Sequence, residues 1–158
     1  MEFFQMALIA ATLLCSLVAG FVFAFTVVVM PGIQGLNDRE FIRAFIQNDQ
    51  PLFVFVWVGS VVALVVAAVL GIGQLDGGGR LLLLIATGTY VLGVQVPTIA
   101  INVPLNNTLQ TLDVDRVKAT THADARREFE PRWNRWNTIR TALASVTSAL
   151  LMIVLLRL

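Results

Sequence analysis

Four stretches of the chain are apolar for long enough to cross a bilayer: residues 3–30, 51–75, 81–101 and 136–156. A helical span needs roughly 20 residues at 1.5 Å of rise each. The first three stretches carry no charged residue, and Pro51 suits the first position of a helix. Between them the polarity returns in pieces of different character. Asn37 to Glu40 has the pattern of a helix N-cap with Glu at its third position. Phe41, Ile42, Phe45 and Ile46 then share one face, which predicts a short amphipathic helix. That helix lies on the membrane surface or forms the first turns of a longer second helix. Gly77 to Gly79 predicts a tight reversal, and 112–135 is the longest polar stretch, helical from about Val114 to Glu130. Pro131 should break that helix and start the next, because proline removes a hydrogen bond and biases its predecessor away from helix. The expected fold is all-α: one integral membrane four-helix bundle over 1–158, with a short amphipathic helix in the first connection and a longer helical third connection.

Composition supports this class. At 57% hydrophobic and 13% charged residues, a soluble domain is excluded. Glu2 stands where a signal peptide would be basic, so the first span is expected to be retained. Arg39, Arg43, Arg116, Lys118, Arg126, Arg127, Arg132, Arg135 and Arg140 fall on the side of the first and third connections, against Arg80 and Arg157 on the other. That bias places those connections in the cytoplasm and both termini outside a plasma (inner) membrane. Basic and acidic residues are interleaved, which argues against nucleic acid as a partner. Cys15, the single cysteine, excludes an intrachain disulfide and a thiolate cluster. His122 is the only histidine, and its polar neighbours give it the look of a solvated helix residue, so no metal site and no cofactor motif is expected.

The chemistry concentrates in two places. Thr141 to Leu156 is 16 residues, roughly 24 Å by the helical rise, so the last span must begin near Trp136 and carry Asn137 and Arg140 into the membrane. Trp133, Asn137, Arg140, Thr141, Ala144 and Ser148 then share one face. Intramembrane ionisable residues mark a functional interior by default, while the bland alternative is a flank that snorkels to the headgroups beside an aromatic belt. In the third span, Gln95, Thr98, Asn102 and Asn106 form a second polar stripe if the helix continues past NVPLNN. Pro97 and Pro104 free the carbonyls of Gly93 and Ala100, and such groups at membrane depth need partners. Asn102 and Asn106 either cap a kinked helix end or line a pocket. If they line one, Trp57, Met30, Trp133 and Trp136 lie at a similar depth and supply flat walls for a hydrophobic ligand or lipid.

RREFEPRWNRWNTIRT, together with NVPLNN at Asn102–Asn107 and VVVMPG at Val27–Gly32, resembles the anthrone oxygenase family of small integral membrane proteins over essentially the whole chain. The resemblance implies oxygenation of an anthrone at its activated methylene without an organic cofactor. Under it, Arg140 is the cation for a developing enolate, and Asn102, Asn106 and Asn137 position substrate oxygens. Gln95, Pro104, Trp57, Trp133, Trp136 and Thr141 complete the substrate-binding set. The base is left open among Glu130, Glu128 and His122. A rival reading uses the same stripe without turnover, in a lipid- or quinone-binding protein or a subunit of a larger complex. Small residues at Ala144, Ser145, Ser148 and Ala149 allow close packing within the chain or between copies, which leaves a homo-oligomer open. A channel is weaker still, since no carboxylate or lysine lies deep in a span.

Overall fold

A computed structural model describes residues 2–47 and 52–158, and every regular element among them is helical. Helix α1 runs Glu2–Ile33, α2 Asp38–Gln47, α3 Leu52–Gly71, α4 Gly77–Gln110 and α5 Ala119–Leu155. Four of these, all but α2, are long and apolar enough to cross a membrane, and they form a four-helix bundle in which α1 packs on α3 and α5, and α5 on α4. The chain is a multi-pass membrane protein. Its outer surface is apolar, with Phe3, Phe55, Leu92 and Ile99 all exposed, as a hydrocarbon solvent requires. The placing of Pro51 falls outside the described residues.

Two cores hold the bundle. The larger stacks Phe4, Leu8, Cys15, Leu64, Leu83, Tyr90, Leu151 and Val154 near the end where α3 turns into α4. Gly93 lets the α4 backbone approach Leu143 of α5, a position where a Cβ would collide with that side chain. The smaller core, at the opposite end, is aromatic: Phe25, Phe41, Phe45, Phe129 and Trp133. Here α2 departs from a surface-lying helix. Asn37 Oδ1 accepts from the Glu40 N–H at 3.0 Å, as the cap pattern indicates, but Phe41, Ile42 and Phe45 turn inward onto α5 and are buried.

The helix bounds differ from the hydropathy pattern in instructive ways. The reversal between α3 and α4 lies at 72–76, and the triple glycine begins α4, where Asp76 caps the Gly79 N–H at 2.6 Å. Helix α4 continues through NVPLNN to Gln110. The third connection is helical as expected, but regular helix begins at Ala119 and not near Val114. His122 is buried and not solvated, its Nε2 lying 3.0 Å from the Val114 carbonyl, which folds the connection onto α5. Arg39 and Arg43 of α2 both pair with Asp115, and the Arg39 hydrogen bond followed by the Arg43 charge holds that exposed carboxyl below its ordinary range. Its small contribution is present above about pH 4 and lost as pH falls through the lowered value.

Pro131 does not break α5, which runs unbroken for 37 residues, about 55 Å by the helical rise. The other three prolines within helices behave differently. Each stands two residues after a π-helical stretch: Phe25–Val29 before Pro31, Val91–Gln95 before Pro97, and Thr98–Asn102 before Pro104. The residue preceding each proline donates five residues back, Met30 to Phe25, Val96 to Val91 and Val103 to Thr98. Widening the turn moves the carbonyl four residues before the ring out of its way without ending the helix. Solvent explains the contrast. The carbonyl that Pro131 frees is that of Arg127, an exposed residue on the polar extension of α5, where water can satisfy it.

Candidate functional site

Between the two cores lies a cavity of about 200 Å³. A single water needs only some 10–15 Å³ by a comparable measure, so the space is of ligand size. Its walls come from all five helices. Val18, Phe21, Val22 and Phe25 of α1 and Phe45 and Ile46 of α2 meet Phe53, Val54 and Trp57 of α3. Facing them, α4 contributes Val94, Thr98, Asn102, Val103, Asn106 and Gln110, and α5 contributes Trp133, Asn137 and Arg140. Five of the α4 residues are spaced every fourth position, from Val94 to Gln110. On an unbroken α-helix such a set would drift around the axis by about 40° per step. The wide turn at Thr98–Asn102 absorbs residues without rotation and keeps the set on one side.

Arg140 is 6% exposed and does not snorkel. Its Nη1 donates to Thr98 Oγ1 at 2.8 Å and its Nη2 to Asn137 Oδ1 at 2.7 Å. Asn137 is itself fixed, because its Nδ2 donates to the Val22 carbonyl at 2.9 Å and to Thr26 Oγ1 at 2.8 Å. Thr141 donates to the Asn137 carbonyl at 2.8 Å and touches Thr26 Oγ1 at 3.1 Å. Trp133 Nε1 donates to Asn106 Oδ1 at 2.8 Å. The network thus ties α1, α4 and α5 together around one guanidinium. Among the described residues, no carboxylate and no histidine lines the cavity. Among the described residues, no group of three or more His, Cys, Asp or Glu side chains is arranged to hold a metal ion.

Three of the lining residues keep buried polar atoms without a hydrogen-bond partner: Arg140 Nε, Trp57 Nε1 and both amide atoms of Asn102. Buried polar groups are normally paired, so unpaired ones sharing a cavity describe what would complete it. Three are N–H donors, and only Asn102 Oδ1 is an acceptor. The unpaired atoms therefore present mainly donors inside otherwise apolar walls.

The residues singled out in the sequence divide. Trp57, Asn102, Asn106, Trp133, Asn137 and Arg140 come together on the cavity wall. Thr141 stands behind it, supporting Asn137. Gln95 is buried outside the lining, beside Tyr90, because the π turn at Thr98–Asn102 separates it from the face of Asn102. Pro104 is exposed, and Trp136 and Met30 are also off the lining. Glu130 is occupied elsewhere, accepting from Arg126 Nε at 2.7 Å, and His122 is held by Val114. The sequence reading passed over Thr26 and the α1 and α2 walls. Thr26 has a weak signal, a hydroxyl in an apolar run. The apolar walls have none, since a cavity-lining Phe and a core Phe follow the same helical spacing.

These features define a membrane protein with a largely apolar cavity toward one end of its bundle and a fixed cation in the wall. The family model for anthrone oxygenase matches residues 41–150, more than half of the chain, and the chain belongs to that family. The matched stretch includes NVPLNN and the Trp-Asn-Arg motif but not VVVMPG. No curated protein matches the chain, and no solved structure does.

Proposed function

We propose that the cavity binds a flat, hydrophobic, oxygen-bearing aromatic molecule and oxygenates it at an activated methylene, as an anthrone is converted to an anthraquinone. The observation carrying this reading is a buried guanidinium with no carboxylate among the described residues of its cavity, accompanied by unpaired donors on Arg140, Trp57 and Asn102. A cation so placed stabilises negative charge that develops on a bound oxygen far more than it would in water. Across the central ring from a carbonyl so polarised, the methylene gives up a proton to water or hydroxide, leaving negative charge on that oxygen, and the electron pair reduces O₂ to a peroxide on the former methylene carbon. Protonation and loss of water from that peroxide leave the second carbonyl, so one O₂ is consumed and one water released. Asn106 and Asn102 would orient the oxygens, and Trp133 and Trp57 would cover the ring faces.

The want of a carboxylate or histidine among the described lining residues favours a second reading, binding without turnover. Oxygen uptake and quinone formation separate the two, measured with the protein in lipid nanodiscs and anthrone as substrate. Oxygenation above the uncatalysed rate is expected. Saturable binding without uptake would establish the second reading, and neither would remove both.

The same proposal places the chain in a plasma membrane with the cavity end cytoplasmic and both termini outside, as nine of eleven basic residues suggest. A reporter fused at Leu158 is expected to be active only on the outer side; activity only in the cytoplasm would reverse the orientation.

A further inference from the structure

The walls of the cavity are unequal. Toward its polar end it is roofed by α2. Phe45 packs on Phe129 with ring centres 4.6 Å apart, on Trp133 at 5.3 Å and on Phe25 at 6.3 Å. Arg126 of α5 fastens that roof. It donates to the carbonyls of Gln34 at 2.7 Å and Leu36 at 2.8 Å, pairs with Asp38 at 3.2 Å and stacks over the Phe41 ring at 4.2 Å. Toward the opposite end the cavity is stopped by the larger core, where Ser60 and Tyr90 close on each other at 2.6 Å.

The flank between α3 and α4 is different. Among the described residues, helix α3 packs along α1 and against Gly77–Tyr90 of α4, but makes no more than glancing contact with α4 beyond Tyr90. Val54 of α3 and Val103 of α4 line the cavity and are nevertheless 54% and 41% exposed. Residues that face both the inside of a cavity and the outside of the bundle mark its mouth. This mouth lies between two helices that are each long and apolar enough to cross a membrane, and the exposed residues beside it, Phe55, Val58, Val96 and Ile99, are apolar.

We propose that the gap between α3 and the Val91–Gln110 half of α4 is a doorway to the bilayer, with Val54 and Val103 as its jambs, so that the site takes molecules dissolved in hydrocarbon and not those carried in water. The proposal rests on the ligand-binding reading of the cavity and adds the route and the solvent of the ligand. An apolar rim repels anything bearing a permanent charge or many hydroxyls, because such a molecule must shed its hydration in lipid before it reaches the unpaired donors within. Selection would occur first by partition and only then by the Arg140 end of the cavity.

The test exploits the buried position of Cys15, the single native cysteine. Val103→Cys in nanodiscs is labelled with N-phenylmaleimide, Val66→Cys on the lipid face of α3 is labelled as control, and wild type verifies that Cys15 stays unmodified. Anthraquinone, delivered from donor vesicles, is followed by stopped-flow quenching of tryptophan fluorescence. A blocked doorway raises the barrier in both directions, so the label at 103 is expected to slow association and dissociation together by about tenfold or more, with the label at 66 changing either by less than about twofold. Unchanged rates with the label at 103 would overturn the doorway and direct access to the roof of α2. Faster dissociation with unaltered association would also overturn it, since that marks a damaged wall. If the unlabelled protein shows no saturable quenching, the cavity-binding reading itself fails and takes the doorway with it.

Discussion

Arg140→Lys is expected to leave the bundle folded and to lower anthrone turnover by about 10²-fold or more, the usual loss when a preorganised donor to a developing oxyanion is removed. The guanidinium uses its two terminal nitrogens on Thr98 and Asn137 and keeps Nε free within the cavity. A lysine ammonium is shorter and point-like. It can satisfy Thr98 or Asn137 but cannot also present a third donor at a fixed angle. The fold should tolerate the change because the positive charge and at least one hydrogen bond persist. Single-turnover kinetics in nanodiscs, with a thermal unfolding profile of the same sample, give the result. Full activity in a folded Arg140→Lys protein would show that only the charge matters, or that the reaction lies elsewhere.

Asn137→Leu should have the largest effect on stability. Leucine keeps asparagine's branched shape but is bulkier, so some overpacking adds to the loss of three hydrogen bonds, to the Val22 carbonyl, Thr26 and Arg140. Interhelical hydrogen bonds in membranes are individually modest, but this one leaves a buried guanidinium nitrogen without its acceptor. The expected cost is about 2–3 kcal/mol, read from reversible unfolding in mixed micelles. A second readout distinguishes positioning from bulk stability. Arg140 loses its anchor on α5, so kcat should fall further than the folded fraction does. A variant as stable and as active as wild type would mean that the network is incidental.

Much of this architecture was legible in the chain. Apolar length alone located four spans, and the impossibility of starting the last one after Thr141 drew Asn137 and Arg140 into the membrane. Helical spacing then brought Trp133, Asn137 and Arg140 to one wall, where the structure has them. Spacing failed where the helix was not regular. Gln95 and Asn102 share a face only on an unbroken α-helix, and the π turn at Thr98–Asn102 intervenes. Pro131 misled for the opposite reason, since a proline at the watery end of a helix loses a hydrogen bond that solvent replaces. His122 and the inward face of α2 depended on tertiary packing, to which local polarity is blind. The α1 wall could not be read at all, because lining a cavity and filling a core require the same residues.

The prolines of α4 carry a consequence beyond helix geometry. Neither Pro97 nor Pro104 touches the cavity, yet each sets the angular phase of everything beyond it. An extra residue in one turn offsets the following side chains by about 100°, the rotation of a single α-helical step. Returning one of these turns to regular α-helix would therefore swing Asn106 and Gln110 away from Arg140 without altering any residue that lines the site. The functional constraint on this helix extends to positions that no inspection of contacts would select. A comparison of relatives that tracks only the polar side chains would miss half of what holds them in place.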